Sequence, residues 1–273
     1  MTDSLPSAMQ SPFGRLVTGF RVQRRVIGAM ILRELHTRYG RDNIGYLWLI
    51  GEPMILASII TLIHATTPST HFASDIGAVP FTIIGYTIFI IFRGVFNRSE
   101  GAIHANQTLL HHQMVSIFDI LLARAIIEVA GCFIVLCILL LLASALGYAD
   151  LPERPLYLLS AVGFMAWWSF ALGTLAAVYT YGSEALARLM HPFSYFMIPL
   201  SGAFYQMSWL PASWQQTLSW FPMPLIFEQA RYGQFRSASD TYVAPGYVAV
   251  VCAILTAWAL SALRRLRRHV HVS

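Results

Sequence analysis

The sequence predicts an all-α integral membrane protein: six transmembrane helices, an amphipathic helix at the interface before them, and short helices on the opposite side of the membrane. Three observations lead there. Only 11% of the 273 residues are charged and 56% are hydrophobic, whereas a soluble domain carries about 25% charged residues. Six apolar segments approach or exceed the roughly 20 residues that cross a hydrocarbon core, in a chain of mean hydropathy +0.59. The arginines, finally, crowd one side of those segments.

Residues 1–43 are read as a cytoplasmic N-terminus with no cleavable signal peptide, because they hold no apolar core of the required length. Val22, Val26, Ile27, Met30, Ile31 and Leu35 fall near helical spacing, and Arg21, Arg24, Arg25, Arg33 and Arg38 lie largely on other faces. Such a helix lies in the headgroup plane, where anionic lipid adds about 1 kcal/mol per nearby arginine. Arg33, Arg38 and Arg41 are also candidates to receive a lipid phosphate, since a guanidinium grips phosphate bidentately. Gly40 is a stop for this helix, and Asp42-Asn43 caps the next.

The expected spans are Ile44–Ala65, Val79–Phe96, Ile117–Leu146, Leu156–Thr180, Pro192–Trp209 and Ala244–Leu263, forming a single transmembrane domain with a cytoplasmic tail over 264–273. Span one contains Glu52-Pro53. A carboxylate at membrane depth costs about 2.5–3.5 kcal/mol, so Glu52 must face protein or water, and Pro53 permits a bend. Between spans two and three, Glu100 to Leu110 can form a short amphipathic helix with Ile103 and Leu110 on one side, a docking element. Ser116-Ile117-Phe118-Asp119 then reads as a capping box. The first turns of span three carry Asp119, Arg124 and Glu128 and are expected to project into the cytoplasm. After span five, Leu210–Val243 is rich in aromatics, Trp214, Trp220 and Phe227 among them, which suits a surface-lying or re-entrant helical pair.

Orientation follows from arginine placement. All eighteen basic residues are arginine. With the N-terminus inside, fifteen are cytoplasmic: seven before residue 44, Arg93 and Arg98 in the connection after span two, Arg124, Arg188, and four in the tail. Arg154, Arg231 and Arg236 alone lie outside. An even span count puts both termini in the cytoplasm.

Much chemistry is excluded. Without lysine there is no Schiff base and no phosphate-binding lysine of a P-loop. The formal charge of +5 is too small to suggest nucleic acid. Cys132, Cys137 and Cys252 sit in apolar runs and pack there. His104, His111 and His112 lack the third ligand or H-E-x-x-H face of a metal centre. A proton-coupled transporter would place ionisable residues deep in several spans, and here only Glu52 and Glu128 qualify. The chain is expected to hold no metal, no cofactor and no catalytic group, so the force must come from a partner.

Three stretches carry a resemblance: "LRELHTRYGRDNIGYLWLIGEP" (Leu32–Pro53), "GAIHANQTLLHHQMVSIFDILLARAIIE" (Gly101–Glu128) and "FPMPLIFEQAR" (Phe221–Arg231). The chain resembles the membrane subunits of Gram-negative capsular polysaccharide exporters, the KpsM-type permeases of type-2 ABC exporters, over nearly its whole length. The G-A-I-x-A-N-Q run is the most specific part, whereas G-Y-L-W and E-P are shared with exporters of O-antigen and teichoic acid. Before span three the family's "RPVKPID"-like wording is replaced by "HHQMVSIFD" (His111–Asp119).

The resemblance implies an inner-membrane homodimer of six-span permeases, each joined to a cytoplasmic subunit that binds ATP and Mg²⁺. The cargo would be a lipid-linked polysaccharide, handed to periplasmic and outer-membrane proteins. Glu100, Gly101, Ala102, Ile103, His104, Ala105, Asn106 and Gln107 would form the coupling helix, and Arg21–Tyr39 the interface helix. Trp48, Glu52, Tyr86, Tyr179, Tyr181 and Tyr205 would line the translocation path, where flat aromatic faces let sugar rings slide. Trp214, Trp220, Phe227, Glu228 and Arg231 would lie at the periplasmic exit. A membrane-embedded enzyme acting on lipid-linked sugars, a permease for an O-antigen-like or teichoic-acid-like polymer, and a secondary transporter for a small solute remain the alternatives.

Overall fold

The computed structural model describes residues 12–39, 45–66, 76–111 and 115–270. In chain order its helices are α1 (Pro12–Tyr39), α2 (Gly45–Thr66), α3 (Ala78–Ser99), α4 (Gln107–His111), α5 (Ile117–Ala145), α6 (Pro155–Tyr181), α7 (Glu184–Ser201), α8 (Ala212–Leu218), α9 (Pro222–Gln234) and α10 (Pro245–Val270). The described residues contain no strand. α3, α5, α6 and α10 are each long and apolar enough to cross a bilayer, and α2 holds a shorter apolar stretch, Met54–Ile63. Four of the six expected spans coincide with those long helices; the first and fifth correspond to α2 and α7, which fall short of that length and apolarity.

The fifth is displaced. Expected over Pro192–Trp209, it runs Glu184–Ser201 and stops at Gly202, whose φ of +84° suits glycine. Its start is set by Ser183, whose side chain accepts from the Leu186 N–H. Glu184 and Arg188 pair one turn apart at 3.2 Å, so the polar first turns remain helical. Apolarity alone places the helix too late.

α3 is the central post. Nearly all of it from Pro80 to Phe96 is buried, packed against α2, α5, α6, α7 and α9. Phe89, Phe92 and Phe96 form an aromatic ladder with ring centroids 5.9 and 5.3 Å apart. α5 begins with the expected capping box: Ser116 accepts from the Asp119 N–H, and Asp119 accepts from the Ser116 N–H. α1 is longer than the expected Arg21–Tyr39. Met30 and Glu34 are buried, Val26 and Ile31 pack with Met30, and α1 lies along α5, while Leu16, Phe20 and Leu32 stay exposed.

At the end of the bundle away from α1, the short α8 is largely exposed and α9 is packed inward. α9 runs back along α6: Phe221 at its start meets Trp168 edge-on, Gln229 donates to Ser160, and Gly233 packs on Leu158. Trp168 lies thirteen residues into α6, about 20 Å from its Pro155 end at 1.5 Å per residue. The start of α9 is therefore sunk deep among the long helices. All residues from Pro222 to Phe227 are buried, which is how non-spanning backbone is tolerated at such depth.

Candidate functional site

The segment between α3 and α5 was expected to be one helix over Glu100–Leu110. It is instead a turn, a 3₁₀ turn at His104–Asn106, and the single-turn α4. The reason is local. The Asn106 side chain donates to the Ala102 carbonyl at 2.8 Å, offering the backbone an alternative to helix. Ile103 and Leu110 do share one side, but it faces inward, in a buried cluster with Met30, Ala102, Ile117 and Leu121. His104, Ala105 and Gln107 are exposed.

This segment is fastened on several sides. Arg33 of α1 donates to Asn106 Oδ1 at 2.7 Å. The His104 ring stacks on Tyr181 at 4.6 Å, with Nε2 3.3 Å from the Tyr181 carbonyl at the end of α6. Glu100 lies 3.7 Å from His191 of α7. The neighbouring Glu34 turns the other way and pairs with Arg124 of α5 at 3.1 Å. Arg124 also donates to the Arg98 carbonyl in the last turn of α3. Arg98 in turn pairs with the buried Glu128 at 2.8 Å.

That last pair forms part of the wall of a cavity of about 370 Å³ between α2, α3, α5 and α7. Glu52 and Leu56 supply one wall, Tyr86, Ile90, Arg93 and Asn97 the α3 wall, Glu128 and Cys132 the α5 wall, and His191 the α7 side. A Cβ at Gly94 would sit 2.9 Å from Glu128 Oε2, so the bare glycine lets that carboxylate lie against α3. Arg93 lies over the Tyr195 ring, with Cζ 4.1 Å from the centroid. Among the described residues, no three His, Cys, Asp or Glu side chains gather as a metal site.

At the opposite end Arg231 is wholly buried. It donates to the Tyr205 carbonyl at 2.6 Å, to Ala203 at 3.1 Å and to Gly202, and pairs with Glu228 at 3.0 Å. Its Cζ stands 4.2 Å over the Phe81 ring. Glu228 also accepts from the Met207 N–H at 2.9 Å. The turn after α7 is therefore held by α9 and pressed onto α3, where a side chain at Gly85 would overlap the Ala203 carbonyl.

The expected site residues divide accordingly. Glu52 and Tyr86 meet in the cavity. Tyr181 stacks on His104, Tyr179 faces a groove beside Trp258 and Arg265 of α10, and Tyr205 belongs to the Arg231 turn. Trp214 and Trp220 are exposed on and just after α8, but Phe227, Glu228 and Arg231 bind the fold together inside it. Arg33 is engaged with Asn106. The side chains of Arg38 and Trp48, and all of Arg41, lie outside the described residues. Arg93, Asn97, Arg98 and His191 were missed as cavity residues. Counting arginines by side groups Arg93 with the connection, yet it interrupts the apolar run of α3, and that interruption is the available signal.

Residues 25–235 match the family model described as ABC-2 type transporter. The capsule polysaccharide export inner-membrane protein CtrC of Neisseria meningitidis serogroup B is 33% identical over 249 residues, spanning 91% of this chain and 94% of that protein. The capsule polysaccharide export inner-membrane protein BexB of Haemophilus influenzae is 33% identical over 84% of this chain and 86% of its own. The polysialic acid transport protein KpsM of Escherichia coli is 30% identical over 85% of this chain and 86% of its own.

Proposed function

The chain belongs to the ABC-2 type transporter family, and from that premise we propose that it is the membrane-spanning permease of an exporter carrying capsular polysaccharide across the bacterial inner membrane. One observation carries the reading. Inner-membrane proteins of capsule polysaccharide export match it at 33% identity over 91% of its length, so the likeness covers the spans, the docking segment, α8 and α9 together.

The working assembly is a homodimer, each copy bound to a cytoplasmic subunit that binds ATP and Mg²⁺. Both termini face the cytoplasm. The cargo is a lipid-linked polysaccharide, passed to periplasmic and outer-membrane proteins. Nucleotide-driven closure of the partner pushes on residues 100–107. What supports this is the polar chain leaving that segment: Asn106 to Arg33 on α1, Glu34 to Arg124 on α5, Arg124 to the end of α3, and Arg98 to Glu128 at the cavity. Helices packed this way have discrete arrangements, so a push at one end becomes a change in cavity shape.

The test is genetic and biochemical. Deleting the coding region should abolish surface polysaccharide and leave polymer inside the cell, with restoration by the intact gene. The tagged chain should bring down an ATPase whose turnover the complex alters. Replacing residues 100–107 by a Gly/Ser linker should leave the protein in the membrane and abolish export. Normal surface polymer in the deletion strain would overturn the reading.

A further inference from the structure

α10 ends in a different chemistry from the rest of its length. Arg264, Arg265 and Arg267 stand exposed in its last two turns, and its sequence from Pro245 to Val270 contains no carboxylate. α6 packs beside it and has none either from Pro155 to Tyr181. Trp167 Nε1 donates to Thr256 at 2.8 Å, and twelve residues further on Tyr179 shares a groove with Arg265, so the two helices run side by side in one direction. The next acid along the chain, Glu184, is paired with Arg188.

The groove between the ends of these helices holds about 250 Å³. Val178 and Tyr179 form its α6 side, and Trp258, Ser261, Arg265 and Leu266 its α10 side. Its polarity is graded along the helix. Val250, Ile254 and Trp258 are exposed and four residues apart, so they make one apolar strip on the outer face of α10. Trp258 and Tyr179 come next, aromatics of the kind that sit at the boundary between hydrocarbon and headgroups. Arg265 follows seven residues after Trp258, about 10 Å along the axis. Strip, aromatic pair and guanidinium repeat the order of acyl chain, glycerol and phosphate within one lipid molecule. The floor is firm: Leu263, Leu266 and Val178 belong to the cluster that also buries Ala102 and Ile103.

We propose that this groove holds an anionic phospholipid of the surrounding bilayer, its phosphate on Arg265, its glycerol between Tyr179 and Trp258, and an acyl chain along Ile254 and Val250. A guanidinium suits phosphate because its N–H groups match two oxygens at once, and basic pockets between membrane helices take anionic headgroups. The three arginines call for negative charge, while the apolar strip leading to them disfavours a water-soluble anion. The volume has room for a phosphate and the glycerol joined to it. The inference needs only that α6 and α10 cross the membrane.

The experiment is native mass spectrometry of the full chain, purified in a non-ionic detergent and titrated with dioleoyl phosphatidylglycerol or with dioleoyl phosphatidylcholine. The spectra count the lipids bound per chain and give Kd for the first. Phosphatidylglycerol should bind at least about fivefold more tightly than phosphatidylcholine, the scale of one arginine beside an anionic headgroup. Arg265→Gln should remove that preference, and Arg265→Lys, which keeps the charge and loses the fork, should retain part of it. Arg188→Gln loses the same charge on an exposed turn and should change nothing. Ser261→Trp fills the groove from an exposed position with every charge in place, and should abolish the tight site; it is the deciding variant if Arg265→Gln does not fold. The proposal is overturned if the two lipids bind equally, or if Arg188→Gln weakens binding as much as Arg265→Gln, which would make the attraction diffuse. It is overturned also if Ser261→Trp binds like wild type, or if glycerol 1-phosphate displaces the lipid, which would assign the groove to a soluble phosphate. Loss of a dimer peak in Ser261→Trp would assign this face to a second copy of the chain and overturn it as well. Each of those results leaves the export reading standing, since that is judged by surface polymer.

Discussion

Arg231→Met is the sharpest perturbation of this fold. The side chain is wholly buried and holds three carbonyls of the turn after α7, while its charge is balanced by Glu228. Methionine fills similar space and donates nothing. Glu228 is then left with a single described donor, the Met207 N–H, and the three carbonyls lose theirs. Breaking a buried pair from one side costs about 3–5 kcal/mol. At roughly 2–4 °C per kcal/mol for a chain of this size, Tm falls by roughly 6–20 °C. The assay follows from the cysteines: Cys132 and Cys252 are buried, so a thiol-reactive dye reports unfolding at a fixed scan rate. Adding Glu228→Gln removes the stranded charge and keeps an acceptor for Met207, so the double variant should regain part of the loss. A shift under 2 °C for Arg231→Met, or a double variant worse than the single, would refute the reasoning.

The other predictions concern smaller contacts. In a double-mutant cycle, Arg33→Ala and Asn106→Ala should show a coupling of about 1 kcal/mol in thermal stability, as for a half-exposed charged hydrogen bond; additive effects would argue against the fastening. Ser116→Ala should cost about 1 kcal/mol and speed amide exchange in the first turn of α5 specifically. Gly85→Ala should destabilise by about 1–3 kcal/mol, because the new methyl overlaps the Ala203 carbonyl and displaces the Arg231 turn; an unchanged melting curve would contradict that packing. Arg154→Lys should lower Tm clearly more than Arg188→Lys, because Arg154 reaches the Tyr232 and Phe235 carbonyls at 2.9 and 3.3 Å whereas Arg188 is exposed.

What was legible in the sequence was what depends on local composition. α3, α5, α6 and α10 fall close to where long apolar runs put them, and the Ser116–Asp119 cap is as local as a signal can be. α7 was misplaced because Glu184 and Arg188 satisfy each other within the helix, so polarity did not mean an end. The segment between α3 and α5 reads as one helix in sequence but is not one, since one side-chain bond from Asn106 to Ala102 decides its shape. Tyr181 was assigned to a path, and its partnership with His104 joins residues 77 positions apart, beyond any periodicity. The aromatics of α8 and α9 suit a surface-lying or re-entrant pair, but the burial of Phe227 and Arg231 depends on α6 and α3 closing over them.

The arginine-only composition has a structural counterpart in the described residues. Arg124 donates to the Arg98 carbonyl at the end of α3. Arg154 donates to two carbonyls at the end of α9. Arg231 donates to three just past the end of α7. The Arg124 and Arg154 guanidiniums serve C-terminal carbonyls of another helix, which have no partner within their own helix and carry the negative end of its dipole, and Arg231 serves the carbonyls of the turn that follows α7. In a bundle surrounded by lipid, water cannot take that place. A guanidinium spreads several N–H groups over a rigid plane, so one side chain spans carbonyls on successive residues, while an ammonium concentrates its donors at a point. The same arginines that read as surface anchors in sequence thus fix α3, α7 and α9 at their ends. Arg93 stands apart from them: it donates to no backbone carbonyl and meets no carboxylate among the described residues. Its charge is left facing the cavity.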